Sequence, residues 1–527
     1  MKRLTKTALL VICALLVAAE LALGAYMAIG QGFVYLDSIS RLANAFYVLY
    51  SRDPHLAAVG LVWNPLPSLL ALPPLLLYPA FPWLASTGMF IIALTALFAG
   101  LTVLAVGEAF RRFSGKPGAA ALGAILVFAL NPFQFWYGAN GMSEAIFGCF
   151  LALAVVCWTR WLKSEKVKDL LVVSVALALA FLTRYEAVPF AFFVMAGTLV
   201  VLWNRRTARH KLESTLLMLA TPIAFAGCVW IWLNFTIMGD PLYFLTSSYS
   251  NEGQSELLAQ NDKFAGIIGD PAESFLYVMR RVGIFLLPYF AIVAARYRIT
   301  GTLRHADLAA LTLMVWSVPL FQWFMVMNGS SYGWLRFFYY PLLVAFAWLP
   351  YEWSVTPAFG LKRMKSYTIG ALALSAVLVA PVMANPDLAP EEHAAIRHRD
   401  SEMYLSAVRE KNVAETLDRG IFARDAEALV LTDSFNANRI IIGSQYPDRF
   451  VNTTDRDFEE ILEDPYAYGV THILVPLPGG VSDLNAVYAK YPGFYEGQYP
   501  WAELVRTLDA GWRLFRVVSH SHAEQAS

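Results

Sequence analysis

Residues 8–41 read ALLVICALLVAAELALGAYMAIGQGFVYLDSISR, an apolar run to about residue 30 followed by a short polar segment. A transmembrane helix needs about 20 mostly apolar residues, and this run supplies them. The run contains Glu20 and lacks a clear small-residue cleavage site, so we expect an uncleaved first transmembrane helix rather than a signal peptide. Asp37 then lies close to the membrane surface.

Composition indicates that the whole chain is a membrane protein. Of its 527 residues, 57% are hydrophobic and 15% are charged, which is far too apolar for a soluble protein of this length. The formal net charge of zero argues against a nucleic-acid-binding surface. The four cysteines lie in apolar runs without the spacing of a zinc or redox motif, so we expect no disulfide framework.

The apolar runs predict a polytopic α-helical membrane protein with about 11 transmembrane helices. Segment 66–78 is about 13 residues long and contains Pro67, Pro73 and Pro74, so we assign it as a re-entrant or juxtamembrane segment. The predicted spans lie near residues 8–29, 88–110, 118–132, 145–162, 169–184, 188–203, 214–234, 277–295, 307–327, 337–353 and 367–384.

The basic loops define the orientation, because Lys and Arg are enriched on the cytoplasmic side of membrane proteins. With these spans, every strongly basic loop lies on the same side as Lys2 and Arg3, which predicts a cytoplasmic N-terminus in the cell membrane. The polar and aromatic loops then face the extracytoplasmic side, where irregular polar backbone can line a cavity. If segment 66–78 crossed the membrane, the later basic loops would lie outside.

Residues 385–527 have the composition of a soluble domain. Charges are evenly spread, a helix is predicted over 401–417, and the apolar runs 428–431, 471–475 and 511–518 predict strands. We therefore divide the chain into a transmembrane domain, 1–384, and a small extracytoplasmic α/β domain, 385–527.

Asp37 is the first candidate for chemistry, because ionisable residues at membrane depth are costly and by default suggest function. Arg41 follows it by one helical turn, and an aromatic-rich loop leads to Trp63 and Asn64. A carboxylate in this place is suited to act as a general base on an acceptor hydroxyl or amine. The alternative is a solvated interfacial salt bridge between Asp37 and Arg41.

Two further turns on the same side carry acidic residues. Segment 131–144 contains Tyr137 in an aromatic cluster suited to a sugar ring, and it ends in Glu144. A plain helix-capping role for Glu144 is the alternative. In the next outer turn, Arg184 and Glu186 either organise an acidic site or pair only with each other.

Arg336 ends the last polar turn, 328–336, among aromatic residues that include Tyr332. A guanidinium is always charged and can bind two oxygen atoms at once, which suits a lipid-linked phosphate. The alternative is an interfacial anchor whose charged end reaches towards water.

The order and shared side of these motifs resemble the GT-C superfamily of polyprenyl-phosphate-sugar-dependent glycosyltransferases. This group includes the protein O-mannosyltransferases and the lipid A aminoarabinose transferase. The resemblance covers roughly residues 8–384 and also includes Gly239-Asp240-Pro241 and the late arginine, aromatic and proline motif. It implies that 1–384 is a catalytic domain that transfers a single sugar, with inversion, from polyprenyl phosphate to a glycan, lipid or protein acceptor.

The resemblance also implies roles for individual residues. Asp37 resembles the catalytic acid of the first loop, Glu144 the acid of the second outer loop, and Arg336 the late phosphate-binding arginine, with Arg184 as a further candidate for the phosphate. Many relatives carry paired acids in the first loop, whereas Ser38 follows Asp37 here. Since no cluster has metal-ligand spacing, we expect no cofactor, with a divalent metal left open.

Two other functions compete with this interpretation. A transporter or flippase of lipid-linked saccharides would also need polar residues in the membrane, but transporters usually contain internal repeats, and none is visible here. An oligosaccharide ligase or polymerase would share the fold, and the sequence does not distinguish it from a single-sugar transferase.

Overall fold

The computed structural model describes residues 5–114, 118–250, 253, 255, 264–397 and 400–521. The chain is mainly helical, with one small sheet near its C-terminus. The basic residues Lys2 and Arg3, on which the predicted orientation depends, lie outside the described ranges. The longer helices are Lys6–Ala25, Leu36–Tyr50, Leu66–Leu75, Met89–Ser114, Ala119–Ala129, Pro132–Ala139, Glu144–Ser164, Val167–Phe181, Ala187–Asn204, Arg209–Met238, Pro271–Thr300, Ala306–Met327, Tyr340–Val355, Ala358–Met383, Glu402–Leu417 and Ser434–Gly443.

Each of the eleven predicted spans lies on a helix, but the helices differ in length. Within the described ranges, eight are long and apolar enough to cross a membrane, or nine if the pair Ala119–Ala129 and Pro132–Ala139, bent by 58°, counts as one span. The helices Val167–Phe181 and Tyr340–Val355 have only 15 and 16 residues. At 1.5 Å per residue each is about 23 Å long, short of the roughly 30 Å hydrocarbon core.

The short helices stop where the sequence predicts functional turns. Helix Ala119–Ala129 ends just before the segment that contains Tyr137 and Glu144, and Val167–Phe181 ends before Arg184. Helix Tyr340–Val355 begins after the 3₁₀ turn that contains Arg336. Helices that end inside the membrane-spanning region leave room for polar side chains, provided that protein buries them.

The chain divides into two compact units. The membrane unit comprises Met1–Leu23, Thr95–Tyr243 and Leu258–Arg397. The sheet unit comprises Gly24–Leu94, Phe244–Leu257 and His398–Ser527. The sequence-based division at residue 385 therefore differs from the compact units, because the first long loop and a short central segment pack with the C-terminal residues.

Helix Tyr340–Val355 forms the centre of the membrane unit. Its residues from Tyr340 to Trp353 are all buried, which fits a helix that is apolar on every side. It packs against Glu144–Ser164 and Pro271–Thr300. Trp158 and Trp348 meet between the first two helices with their ring centroids 5.6 Å apart.

A buried ionic cluster joins three helices at the end of the membrane unit that carries the basic loops. Arg296 Nη1 and Nη2 donate to the two carboxylate oxygens of Asp307 at 2.9 and 2.7 Å. Arg296 Nε and Nη2 also donate to the two oxygens of Glu352, both at 2.8 Å. One guanidinium thus bridges two carboxylates and fixes helices Pro271–Thr300, Ala306–Met327 and Tyr340–Val355 to one another.

The sheet unit contains a mixed sheet with the strands β1 (Val430–Thr432), β2 (Phe450–Asn452), β3 (His472–Val475), β4 (Ala502–Thr507) and β5 (Arg513–Val517). Their order in the sheet is β2-β1-β3-β5-β4. Strands β1, β2 and β3 are parallel, while β5 pairs antiparallel with both β3 and β4. The three predicted strands and the predicted helix are all present, and β2 and β4 are additional.

Helix Leu36–Tyr50 from the first loop belongs to the core of the sheet unit. Its apolar side, which includes Ile39, Leu42 and Phe46, is buried in one hydrophobic cluster with Ile440 and Ile441. Segment 66–78 forms the helix Leu66–Leu75, which packs against Leu36–Tyr50. The first loop is thus a folded part of the sheet unit.

Candidate active site

The turn between residues 130 and 144 begins the polar region of the membrane unit. Asn131 caps helix Pro132–Ala139, because its side chain accepts a hydrogen bond from Phe133 N at 3.0 Å. Gly141 has a φ of +81°, which glycine adopts without strain, and it allows the chain to turn into helix Glu144–Ser164. This turn places Glu144, which is fully buried, at the start of that helix.

Arg184 links the acidic residues of two turns. Its Nη1 donates to Glu144 Oε1 at 2.8 Å and to Ser143 Oγ at 3.0 Å. Its Nε and Nη2 donate to the two carboxylate oxygens of Glu186 at 3.2 and 2.8 Å. Glu186 and Arg184 therefore pair, as one alternative predicted, but the same guanidinium also holds Glu144.

Arg336 approaches Glu144 from the turn before the central helix. Its Nε lies 3.3 Å from Glu144 Oε1, the oxygen that also receives Arg184. Its Nη1 donates to both carboxylate oxygens of Glu391. The ring of Phe337 lies 5.2 Å from the Cζ atoms of both arginines, a distance suited to cation–π contact. Arg184 and Arg336 thus share both a carboxylate and an aromatic ring.

Helix Pro390–Ile396 adds a second acidic residue beside Glu391. Glu392 is buried and accepts a hydrogen bond from the hydroxyl of Tyr137. Burial raises the pKa of Glu392, and the hydrogen bond from Tyr137 only partly opposes this rise. The structure therefore brings Tyr137 into the same region as Glu144, through a residue that the sequence did not single out.

Two buried oxygen atoms of the cluster have no hydrogen-bond partner within the described part of the chain. They are Glu144 Oε2 and the hydroxyl of Tyr340, the first residue of the central helix. Both residues are almost completely buried. A buried oxygen without a partner costs free energy, and a substrate hydroxyl would satisfy it.

Arg281 is also buried, but unlike Arg184 and Arg336 it donates to backbone carbonyls and not to carboxylates. It lies on helix Pro271–Thr300 with its Cζ 3.5 Å from the ring centroid of Tyr277. Its Nη1 and Nη2 donate to the backbone carbonyls of Tyr277 and Asp387 at 3.2 and 2.6 Å. It forms no ion pair with any described residue, although it is only 5% exposed. Because a buried positive charge needs a counter-charge, Arg281 has the character of an anion-binding residue.

Tyr332 belongs to the surroundings of Arg281. Its carbonyl accepts a hydrogen bond from the Tyr277 hydroxyl at 2.9 Å, and its ring stacks on Trp334 at 5.3 Å. Tyr332 therefore supports the ring on which Arg281 lies.

The remaining predicted site residues lie in the sheet unit. Asp37 is exposed in the first turn of helix Leu36–Tyr50, where a carboxylate interacts favourably with the helix dipole. Arg41 Nη1 donates to the Asn64 carbonyl at 3.0 Å, and its Cζ lies 5.8 Å from the ring of Trp63. Arg41 thus fixes the Trp63 and Asn64 segment next to the helix that carries Asp37.

Sequence reasoning missed three charged residues, each for an identifiable reason. Arg281 lies within a predicted span, where any arginine is a functional signal. Glu391 and Glu392 follow the last span, in a stretch that we assigned to the soluble domain. Among the described residues, no group of three or more His, Cys, Asp or Glu side chains is arranged to hold a metal ion.

The comparisons with known proteins agree on the class of protein. Residues 78–232 match the family model described as dolichyl-phosphate-mannose-protein mannosyltransferase. A search among curated proteins found no match. Among solved structures, ArnT from Cupriavidus metallidurans bound to undecaprenyl phosphate is similar, with a TM-score of 0.55, 11% identity, and coverage of 95% of this chain and 97% of that chain. The apo state of the same protein gives a TM-score of 0.52, with the same identity and coverage.

At 11% identity the likeness to ArnT establishes the fold, and the family model that matches residues 78–232 supports the class of enzyme. The apolar helices and these comparisons make the chain an integral membrane protein. The resemblance predicted from the sequence is thereby confirmed, because the family model and the fold both support a membrane glycosyltransferase of the GT-C superfamily.

Proposed function

We propose that this enzyme transfers a single sugar from a polyprenyl-phosphate donor to an acceptor at the extracytoplasmic face of the membrane, with inversion. The family model that matches residues 78–232 is described by a dolichyl-phosphate-mannose donor, and the ArnT structure of similar fold is bound to undecaprenyl phosphate. Both descriptions support a lipid-linked phosphate as part of the donor.

The observation that carries the proposal is the way in which segment 385–396 meets Arg281 and Arg336. The Asp387 carbonyl accepts from Arg281, and the Glu391 carboxylate accepts from Arg336. In both cases an oxygen atom accepts a hydrogen bond from an Nη atom of a buried arginine. A phosphate has oxygens of the same kind and more negative charge than a carbonyl, so it can replace them at both arginines.

Arg184 has a supporting role in this proposal. Its hydrogen bonds to Glu144, Ser143 and Glu186 use most of its donors. We therefore assign the phosphate to Arg336 and Arg281, and we assign to Arg184 the task of holding Glu144. The open Oε2 of Glu144 then accepts a hydrogen bond from a hydroxyl of the donor sugar.

In the proposed reaction Asp37 acts as the general base. The acceptor hydroxyl or amine attacks the anomeric carbon while its proton passes to the Asp37 carboxylate. The bond between the anomeric carbon and the phosphate oxygen breaks, and polyprenyl phosphate leaves with its charge balanced by the arginines. One base is sufficient, because a phosphate bound to arginine is a good leaving group without protonation.

Two ionic clusters at opposite ends of the central helix support the proposed orientation. Arg336 lies just before the helix Tyr340–Val355, and Glu352 lies near its end in the cluster with Arg296. The Arg296 end carries the loops rich in Lys and Arg, which favour the cytoplasm. The N-terminus is then cytoplasmic, and the Arg336 end faces the opposite side.

Purified protein incubated with a panel of polyprenyl-phosphate sugars tests this function. The expected result is thermal stabilisation by one donor and release of free polyprenyl phosphate that depends on an acceptor. Movement of intact donor across proteoliposomes without release of polyprenyl phosphate would favour a flippase instead. Transfer of a preassembled oligosaccharide, and of no single sugar, would favour a ligase.

A further inference from the structure

The segment that precedes Asp37 is held by a buried arginine on a C-terminal helix of the sheet unit. Arg439, on helix Ser434–Gly443, donates from Nη2 to the carbonyl of Val34 at 2.7 Å. Its Nε lies 3.1 Å from Glu410, so the guanidinium is fixed on its other edge. Arg439 is 8% exposed and Val34 is 6% exposed. A buried hydrogen bond thus acts on the backbone three residues before Asp37.

Asn438, the residue before Arg439, binds the far end of helix Leu36–Tyr50, the helix that carries Asp37. Asn438 Oδ1 accepts from the hydroxyl of Tyr47 at 2.8 Å, and Tyr47 lies near the end of helix Leu36–Tyr50. A third contact lies before the helix, where the rings of Phe33 and Tyr404 stack with centroids 5.1 Å apart.

The side chains of Asp37 and Leu36 are exposed, whereas those of Val34, Tyr35, Ser38 and Ile39 are buried. Contacts to Arg439 and Asn438 therefore fix the backbone on both sides of Asp37, while its carboxylate stays accessible. A catalytic group needs this combination, since small displacements of a base greatly reduce the rate.

We propose that Arg439 is a positioning residue for Asp37, and that the C-terminal sheet serves catalysis by holding the first loop. This inference rests on the proposed role of Asp37 as the general base. It gives the C-terminal residues a function in the chemical step that is separate from recognition of the acceptor or shielding of the site.

A purely structural role for Arg439 makes a different prediction, and a double-mutant cycle separates the two. If Arg439 acts through Asp37, Arg439→Met loses its effect once Asp37 is already replaced by Asn. If Arg439 only stabilises the unit, its effect on activity multiplies with that of Asp37→Asn.

The experiment compares wild type, Arg439→Met, Asp37→Asn and the double variant in the full-length protein. We expect Arg439→Met to lower kcat by about 10- to 100-fold with little change in the KM for donor, because a displacement of about 1 Å can cost about 100-fold. We expect the double variant to be no slower than Asp37→Asn.

Arg449→Met is the matched control, because Arg449 also donates to backbone carbonyls, those of Phe422 and Asp425, within the same unit. It should keep the wild-type kcat. If Arg439→Met does not fold, Tyr47→Phe removes only the hydroxyl that binds Asn438, and the same cycle applies with a smaller loss.

The outcomes separate the two proposals. Full activity of Asp37→Asn would refute the general base and the positioning role together. Loss of activity in Asp37→Asn with a multiplicative loss in the double variant, or with an equal loss in Arg449→Met, would refute only the positioning role.

Discussion

One guanidinium nitrogen of Arg336, Nη1, donates to both carboxylate oxygens of Glu391. A carboxylate with this geometry competes with any phosphate for the same donors. We therefore expect Glu391→Gln, which keeps the size but removes the charge, to tighten donor binding several-fold. Donor titrations followed by thermal shift measure this effect.

Two further variants are needed to interpret the result with Glu391→Gln. Asp387→Asn removes an exposed carboxylate from the same segment and should leave donor affinity nearly unchanged. Arg336→Lys keeps the charge but loses the planar geometry, so it should weaken donor binding while the fold persists. Weaker binding in Glu391→Gln would contradict competition at Arg336, and unchanged binding in Arg336→Lys would return that residue to the role of an interfacial anchor.

Arg281→Met should weaken donor binding strongly. Hydrogen bonds between charged groups contribute about 1.5–3 kcal/mol, which corresponds to about 10- to 100-fold in Kd. The neighbouring Arg280 is exposed on the same helix, so Arg280→Met removes an equal charge and serves as the control. An equal effect of the two substitutions on donor Kd would show that only the overall charge matters.

Asp37→Asn tests the chemical step. The amide keeps the size of the side chain but cannot accept the proton, so turnover should fall by about 10²- to 10⁴-fold while donor binding stays near normal. Asp53→Asn is a suitable control, because Asp53 lies in the same loop and pairs with Arg456. Steady-state rates of polyprenyl phosphate release give the comparison, and a rate near that of wild type would exclude Asp37 as the base.

The orientation is tested with a reporter that is active only in the cytoplasm. Fused after the C-terminus it should be silent, because residues 385–527 are predicted to lie outside the cytoplasm, while the same reporter at the N-terminus should be active. Signal from the C-terminal fusion would reverse both the topology and the proposed side of the site.

The buried carboxylate of Asp455 should make the stability of the sheet unit depend on pH. Its carboxylate binds Arg52 at 3.0 Å, but burial outweighs this attraction and raises the pKa of Asp455 to about 6. Because folding raises this pKa, the folded state binds the proton more tightly. The resulting stabilisation is present at low pH and is lost as the pH rises through about 6.

The loss between pH 5 and 7 should be about 1 kcal/mol. Thermal unfolding at several pH values should therefore show a slope that Asp455→Asn reduces. Asp457→Asn is the control, since Asp457 also binds Arg52 but 41% of its side chain is exposed. An unchanged slope in Asp455→Asn would assign the pH dependence to other groups.

The sequence singled out Glu144, Arg184 and Arg336 as separate candidates, and the structure brings their side chains together. Each of these residues follows or precedes an apolar run, so the membrane sets their depth and the basic loops set their side. The membrane does not determine which polar groups pair with one another. Glu391 reaches Arg336 from a segment 55 residues later in the chain, and no periodicity in the sequence reports such a contact.

Helix Leu36–Tyr50 shows a second limit of the sequence-based prediction. Its residues Ile39, Leu42 and Phe46 have the spacing of one helical face, which indicates a helix that needs an apolar partner. That partner is the C-terminal sheet, nearly 400 residues away in sequence. We therefore predicted a loop and a separate domain, whereas tertiary contacts form one unit from both.

The sheet unit is built from segments that lie far apart in the chain, and this affects how the protein folds during synthesis. The ribosome completes Leu94 about 300 residues before it reaches the next large part of the unit, a delay of some tens of seconds at typical rates of synthesis. During that interval, helix Leu36–Tyr50 lacks Ile440 and Ile441, which share its hydrophobic cluster in the finished protein. The nascent chain must therefore protect an apolar helix until its last quarter emerges, and a chain that terminates early exposes that surface permanently.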